Sequence, residues 1–209
     1  MAEKEITKTK QSAVPLIEVK NVKKYFNVGK GRVLHAVDDV SFTINRGETV
    51  GLVGESGCGK STMGTVLMRL QAQTGGEVLY EGKNIFDVKD KKEDMEIRKK
   101  MQIVFQDPYS SLNPKKRIKS ILAESYETQH LCSRAELDQT LEMLCDKVGI
   151  SKGMWMQFPH ELDGGKRQIV GIARALSVGP EFVVCDEPVS ALDVSVQAKI
   201  LNLLMDLQE

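Results

Sequence analysis

No stretch of this 209-residue sequence reaches the roughly eighteen consecutive apolar residues that a membrane-spanning helix needs. The N-terminal residues carry no apolar signal core. Cysteine is scarce and scattered. Cys58, Cys132, Cys145 and Cys185 form neither a C-x-x-C pair nor a disulfide framework, which fits a reduced, cytoplasmic setting. An excess of charge is missing too: 29 Lys+Arg balance 29 Asp+Glu, removing the global basic bias of a nucleic-acid binder. Internal repeats are absent. The length suits one domain with a subdomain, large enough for a sizeable core.

What is present centres on Gly54-Glu55-Ser56-Gly57-Cys58-Gly59-Lys60-Ser61-Thr62, which fits the phosphate-loop pattern G-x-x-x-x-G-K-[ST]. Glycines let successive backbone N–H groups curl around an anion, and the N-terminus of the next helix adds partial positive charge. Lys60 would reach the β- and γ-phosphates and the Ser61 hydroxyl would ligate magnesium. Cys58 would make nucleotide binding sensitive to alkylation, or is a tolerated small residue. Glu48–Val53 reads as a buried strand before the loop, and Met63–Leu70 as the helix after it.

Along the chain, residues 1–15 are polar and Lys-rich and read as a disordered leader, with one domain over 16–209. Leu16–Lys20 alternates like an edge strand, Val28–Arg32 reads as a turn, and His35–Ile44 as a further strand closed by Asn45-Arg46-Gly47. Glu77–Tyr80 is a short strand, Lys89–Lys100 a solvated helix, and Met101–Phe105 a buried strand ending at Gln106. Ser133-Arg134-Ala135-Glu136 is a capping box, behind which Leu137, Leu141, Leu144, Cys145 and Val148 share one helical face. Gln168–Ser177 and Val194–Gln208 are two more helices. Between them, Phe182–Cys185 is a short apolar run that reads as a parallel strand with Asp186 and Glu187 at its carboxyl end. Downstream of a phosphate loop, such a pair would hold magnesium through water and polarise an attacking water. The plainer alternative is a pair capping the next helix.

The phosphate loop, Gln106, Leu162-Asp163-Gly164-Gly165, the Phe182–Glu187 strand and Ser190-Ala191-Leu192-Asp193 follow one another in this order. Together they resemble an ATP-binding-cassette (ABC) ATPase, over Leu16–Glu209. The run Gln106-Asp107-Pro108-Tyr109-Ser110-Ser111-Leu112-Asn113-Pro114 is similar to the oligopeptide, dipeptide and nickel importer subgroup. The resemblance implies an α/β fold: a RecA-like phosphate-loop NTPase core, an antiparallel β subdomain and a helical subdomain at about 107–176. It implies ATP and Mg2+ as cofactors. Residues Gly54 to Thr62 would cradle the phosphates, Ser61, Gln106 and Asp186 would serve the metal, and Glu187 and Gln106 would be catalytic. Phe26, or its neighbour Tyr25, would stack on adenine; Phe26 fits the family spacing better, and either could be core packing instead. Leu162, Asp163, Gly164, Gly165 and Asp193 would serve the nucleotide of a partner cassette, Asp193 doubling as a helix cap. His160 reads as structural.

Two departures from the family pattern stand out. Asp163 and Lys166 replace the usual serine and glutamine of the Leu-Ser-Gly-Gly-Gln motif, which would weaken the composite site unless Lys166 or Arg167 neutralises the carboxylate. The family's γ-phosphate histidine has no counterpart, since His35, His130 and His160 all precede Asp186, and the closing core strands are missing. The sequence therefore reads as a cassette truncated at its C-terminus. The function implied is the motor of a peptide or nickel importer, peripheral on the cytoplasmic face of the membrane. Its partners would be a second ABC ATPase subunit (a heterodimer favoured), integral membrane permease subunits and, indirectly, an extracytoplasmic substrate-binding protein, with no nucleic acid. The alternatives are a nucleotide-binding regulatory subunit with little hydrolysis, and a soluble cassette ATPase serving nucleic acid or a metalloenzyme. Neutral charge and the Gln106–Pro114 run argue against the last.

Overall fold

The computed structural model describes residues 14–190 and 192–208. The expected leader falls almost wholly outside them, as do Ala191 and Glu209.

Two sheets organise the chain. The first is antiparallel, in the order β2-β1-β3-β4, from β1 (Ile17–Asn27), β2 (Val33–Ile44), β3 (Gly75–Tyr80) and β4 (Lys83–Asn84). The turn between β1 and β2 closes where Val28 N–H donates to the Arg32 carbonyl at 3.1 Å. The second sheet pairs β5 (Met101–Val104) in parallel with β6 (Phe182–Cys185), Met101 opposite Phe182 and Val104 opposite Cys185. Parallel neighbours need a long crossover. Here it contains α3 (Pro108–Ser111), α4 (Ile118–Thr128), α5 (Leu137–Val148) and α6 (Gly164–Leu176).

Sequence patterning explains most of these elements. α2 (Lys91–Lys100) starts at Asp90, whose carboxylate accepts the N–H groups of Lys92 and Glu93. Glu93 and Asp94 lie in its first turn and Arg98, Lys99 and Lys100 in its last, each sign complementing the helix dipole. On α5 the stripe of Leu141, Leu144, Cys145 and Val148 is buried, and Gly149 ends the helix in the left-handed conformation. Those residues join Leu122, Tyr126, Trp155, Leu162 and Val170 in one helical core. A second core lies between the antiparallel sheet, α1 (Lys60–Leu67) and α2. A third, Val104, Ile172, Ala175 and Ile200, joins β5 and α6 to α7 (Val194–Asp206).

Three expectations change. Glu48–Val53 is not a buried strand: no strand pairs with it among the described residues, and Val53 is 92 % exposed. An apolar pattern gains a strand's stability only through ladder partners, and this stretch has none. Leu16–Lys20 does not belong to an edge strand, since β1 pairs with β2 on one side and β3 on the other. It also runs on to Asn27 through an irregularity at Asn21, whose φ is +47° and whose N–H donates to Ser41 Oγ at 2.8 Å. Finally, the capping box does not open its helix directly. Glu136 accepts both the backbone N–H and hydroxyl of Ser133, and α5 begins at Leu137.

One polar cluster ties the two sheets together. Arg46, just past β2, pairs with Glu81 and, at 2.6 Å, with Glu181 next to β6. Tyr80 hydroxyl donates to Glu181 at 2.9 Å and Lys100 lies 3.2 Å from it. Arg46 above all, against a desolvation that works the other way, holds the Glu181 carboxyl down at about 2 from its ordinary 4.5. A depressed carboxyl contributes stability above its unfolded pKa that is lost as pH falls through the folded one. Thermal unfolding followed from pH 7 downward should therefore show a loss between about 4.5 and 2 that Glu181→Gln flattens. An acid limb unchanged by the substitution would remove this cluster from the account.

Candidate nucleotide-binding site

The phosphate loop runs into α1 with no side chain capping that helix, so its first N–H groups keep their donor capacity. Gly57 and Gly59 take φ of +81° and +100°, which turn the loop. Gly59 also lies hard against β2: a Cβ there would sit 2.0 Å from the Ala36 carbonyl oxygen. The β1–β2 hairpin thus lies directly on the loop. Lys60 Nζ donates to the carbonyls of Gly54 at 2.9 Å and Glu55 at 2.8 Å, with a weaker contact to Cys58 Sγ at 4.0 Å, which holds the ammonium at the loop.

Across from the loop, the β5–β6 ladder carries one residue further, Asp186 N–H donating to the Val104 carbonyl at 2.9 Å. Ser61 hydroxyl donates to Asp186 Oδ1 at 2.9 Å, joining loop and strand end across 125 residues of chain. Next to it Glu187 takes a left-handed φ of +44°, sparsely populated for a side chain of this kind. Its Oε2 accepts Gln106 Nε2 at 2.7 Å, from the end of the neighbouring strand. Gln106 meets Glu187, which directly follows Asp186, because β5 and β6 are parallel and end together, and Ser61 reaches the same strand end from α1.

Magnesium asks for hard oxygens and keeps places for water and phosphate. A hydroxyl and a carboxylate oxygen 2.9 Å apart suit it, and Gln106, just past the adjacent strand, also carries an amide oxygen. Among the described residues no group of three or more His, Cys, Asp or Glu could hold a metal alone. The donor set fits a cation that arrives with phosphates.

The Leu162–Gly165 motif lies apart. Leu162 is in the helical core. Asp163 caps α6, accepting Lys166 N–H at 2.8 Å, and pairs with Lys166 Nζ at 2.7 Å. That lysine, first through its side chain and then its N–H, holds the Asp163 carboxyl below the usual range. Arg167 turns elsewhere, donating to the Pro159 carbonyl at 2.7 Å with its guanidinium over the Tyr109 ring. Gly164 and Gly165 pack on the start of α7, where a Cβ on Gly165 would meet Val196 Cγ1 at 2.6 Å. Asp193 sits at the cap position of α7, its carbonyl rather than its side chain accepting the N–H groups of Val196 and Gln197. No hydrogen bond or ion pair among the described residues links Leu162–Gly165 or Asp193 to Gly54–Thr62.

Of the two adjacent aromatics, Tyr25 is engaged: it stacks on His35 at 4.0 Å and its hydroxyl donates to Asp38. Phe26, opposite Leu34 on β2, has no ring partner among the described residues but lies under Lys24 Nζ, 4.8 Å from the ring centroid. His160 stacks on Phe158 at 5.6 Å, away from the loop's contacts. Sequence reasoning missed Lys24 and Gln168. The latter, 1 % exposed, sends its amide towards the Phe105 carbonyl at 3.4 Å and ties α6 to the strand before Gln106. A glutamine on the otherwise apolar inner face of the helix was the available signal.

Loop, strand-end carboxylates and a helical insertion define a phosphate-loop nucleotide-binding cassette. Comparison with known proteins specifies it further: the ABC transporter profile matches residues 37–190, and the chain belongs to that family. It is 49 % identical over 195 residues to the oligopeptide transport ATP-binding protein OppF of Bacillus subtilis, covering 93 % of this chain and 64 % of that protein. Against the dipeptide transport ATP-binding protein DppF of Haemophilus influenzae the identity is 46 %, over 93 % of this chain and 61 % of the relative. The chain thus spans a little over 60 % of the length of these relatives. Among solved structures, the ATP-binding cassette MJ0796, a dimer bound to ADP and Pi, superposes with a TM-score of 0.82 at 31 % identity, covering 92 % of this chain and 83 % of that one.

The close approach of the loop to β2 separates two glycines by cost. Gly57→Ala meets no atom within 4 Å and should cost about 1–2 kcal/mol, the left-handed backbone alone. Gly59→Ala must also displace the Ala36 carbonyl, adding about 1–3 kcal/mol of overpacking and abolishing nucleotide binding. Urea unfolding and ATP calorimetry on both variants check this; equal costs would contradict the contact.

Proposed function

We propose that this chain is the ATP-hydrolysing motor cassette of a peptide importer, acting on membrane permease subunits from the cytoplasmic face. The observation that carries the reading is the pair of contacts at the sheet edge, Ser61 to Asp186 and Gln106 to Glu187. They support it by joining the phosphate loop to the first strand-end carboxylate and the neighbouring strand's glutamine to the second. The names of the relatives, oligopeptide and dipeptide transport ATP-binding proteins, favour peptide over nickel as cargo. No helix among the described residues is long and apolar enough to cross a membrane, so permease partners would supply the passage.

The residues divide the work as follows. The N–H groups of Glu55 to Thr62 and Lys60 bind the phosphates, Lys60 exchanging its two carbonyl contacts for phosphate oxygens. Ser61 and Asp186, with Gln106, would hold Mg2+, which would supply charge neutralisation for the phosphates. Glu187 accepts a proton from the attacking water, and its bond from Gln106 fixes which carboxylate oxygen stays free for that water. Phe26 stacks on the adenine. Leu162–Gly165 and Asp193 face the nucleotide of a second cassette. Residues 16–209 form the cassette, and the helical part at about 107–176 meets the permease.

Asp163 bears on the partner's site and leaves this chain's own loop intact. A carboxylate at the N-terminus of α6, already using the Lys166 N–H, competes with a phosphate for the same donors. A related partner with a serine at that place, in a heterodimer of one strong and one weak site, fits this better than a non-hydrolysing regulatory subunit.

Two variants test the reading in the full-length protein assembled with its permease. Glu187→Gln should keep ATP binding and lower turnover by about 10²–10⁴-fold; unaltered turnover would refute its role as base. Asp163→Ser should raise ATPase at the composite site severalfold, and unchanged activity of the dimer would remove Asp163 from the control of that site.

A further inference from the structure

The ring of Phe26 carries a fixed charge on one face. Lys24 lies two residues upstream on the same side of β1, its ammonium 4.8 Å from the ring centroid. The same nitrogen donates to the Ala72 carbonyl at 2.7 Å, in the connection leaving α1. That connection is itself pinned to β1: Tyr25 N–H donates to Thr74 Oγ1 at 2.9 Å, and Thr74 N–H to the Lys23 carbonyl at 2.7 Å. No carboxylate pairs with Lys24 among the described residues, so its charge acts on the ring uncancelled. The opposite strand offers Leu34, 54 % exposed, and not a packed core.

We infer that Lys24 is a positioning residue for the nucleotide base, covering one face of Phe26 so that the purine stacks on the other. This rests on the reading that Phe26 binds adenine. The physics is a three-layer stack. A cation over one face draws the π-density of the ring towards it, and the far face becomes a better partner for an electron-rich purine. The tether to Ala72 keeps the ammonium there without the entropy loss of ordering a free lysine on binding. It also connects the base platform to the helix whose N-terminus takes the phosphates, five residues beyond the end of α1 at Leu67.

The test compares ATP with inorganic tripolyphosphate, which has the phosphates and no base, by calorimetry on the full-length protein. Lys24→Met should weaken ATP about two- to fivefold, the range for an exposed cation–π contact, and leave tripolyphosphate unchanged. Lys24→Arg should restore ATP binding, and Lys24→Met should have no further effect in a Phe26→Leu background. Equal weakening of both ligands, or an effect that persists without Phe26, would mean that Lys24 serves the fold, and would overturn the inference. If Phe26→Leu weakens ATP and Lys24→Met does not, this inference alone falls. If Phe26→Leu leaves ATP binding unaltered, the stacking role of Phe26 falls first and takes the inference with it.

Discussion

The parallel pairing of β5 with β6 is the constraint on which the site depends. Parallel strands end on the same side, so a four-residue ladder delivers Gln106 and Asp186–Glu187 to one edge although a helical insertion separates them in sequence. The ladder's last bond, from Asp186 N–H to the Val104 carbonyl, sets the height at which the Ser61 hydroxyl meets the carboxylate. Slipping the register by one residue would turn Asp186 to the other face of the sheet and separate it from the loop.

Much of this was legible in the sequence, because phosphate binding needs particular backbone freedom at particular spacings. Gly57 and Gly59 adopt the positive φ that the loop pattern implies, and the apolar run before Asp186 is a parallel strand. The failures share a cause. Glu48–Val53 has a strand's pattern but no ladder partner among the described residues, and patterning carries no information about neighbours. For β1, alternation was lost at Asn21, where an irregularity shifts the register, so the strand appeared to stop at Lys20. The Arg46–Glu81–Glu181 cluster joins residues up to 135 apart and has no local signature. Lys24 was equally invisible, since an isolated lysine in a strand says nothing about which ring it covers.

The helical insertion is fastened to the site by α6. Gln168 reaches the Phe105 carbonyl at the end of β5, and Arg174 donates to the Ser111 carbonyl beyond it. Ile172 and Ala175 complete the apolar contact with Val104 and Ile200. Movement at Gln106 therefore meets a rigid element within a few residues on either side. Packed helices shift as bodies and do not deform locally, so displacement there is carried into the helical core as a whole.

The left-handed backbone of Glu187 has a consequence for how such a protein changes over generations. A non-glycine residue held at φ +44° costs of order 1–3 kcal/mol, a sizeable share of the margin by which a domain stays folded. Glycine would relieve that cost and abolish the carboxylate. On the role proposed for Glu187, heat and turnover pull this position in opposite directions. A lineage, or a laboratory screen, rewarded for thermal endurance alone has a one-step route to a sturdier protein that lacks the proposed base.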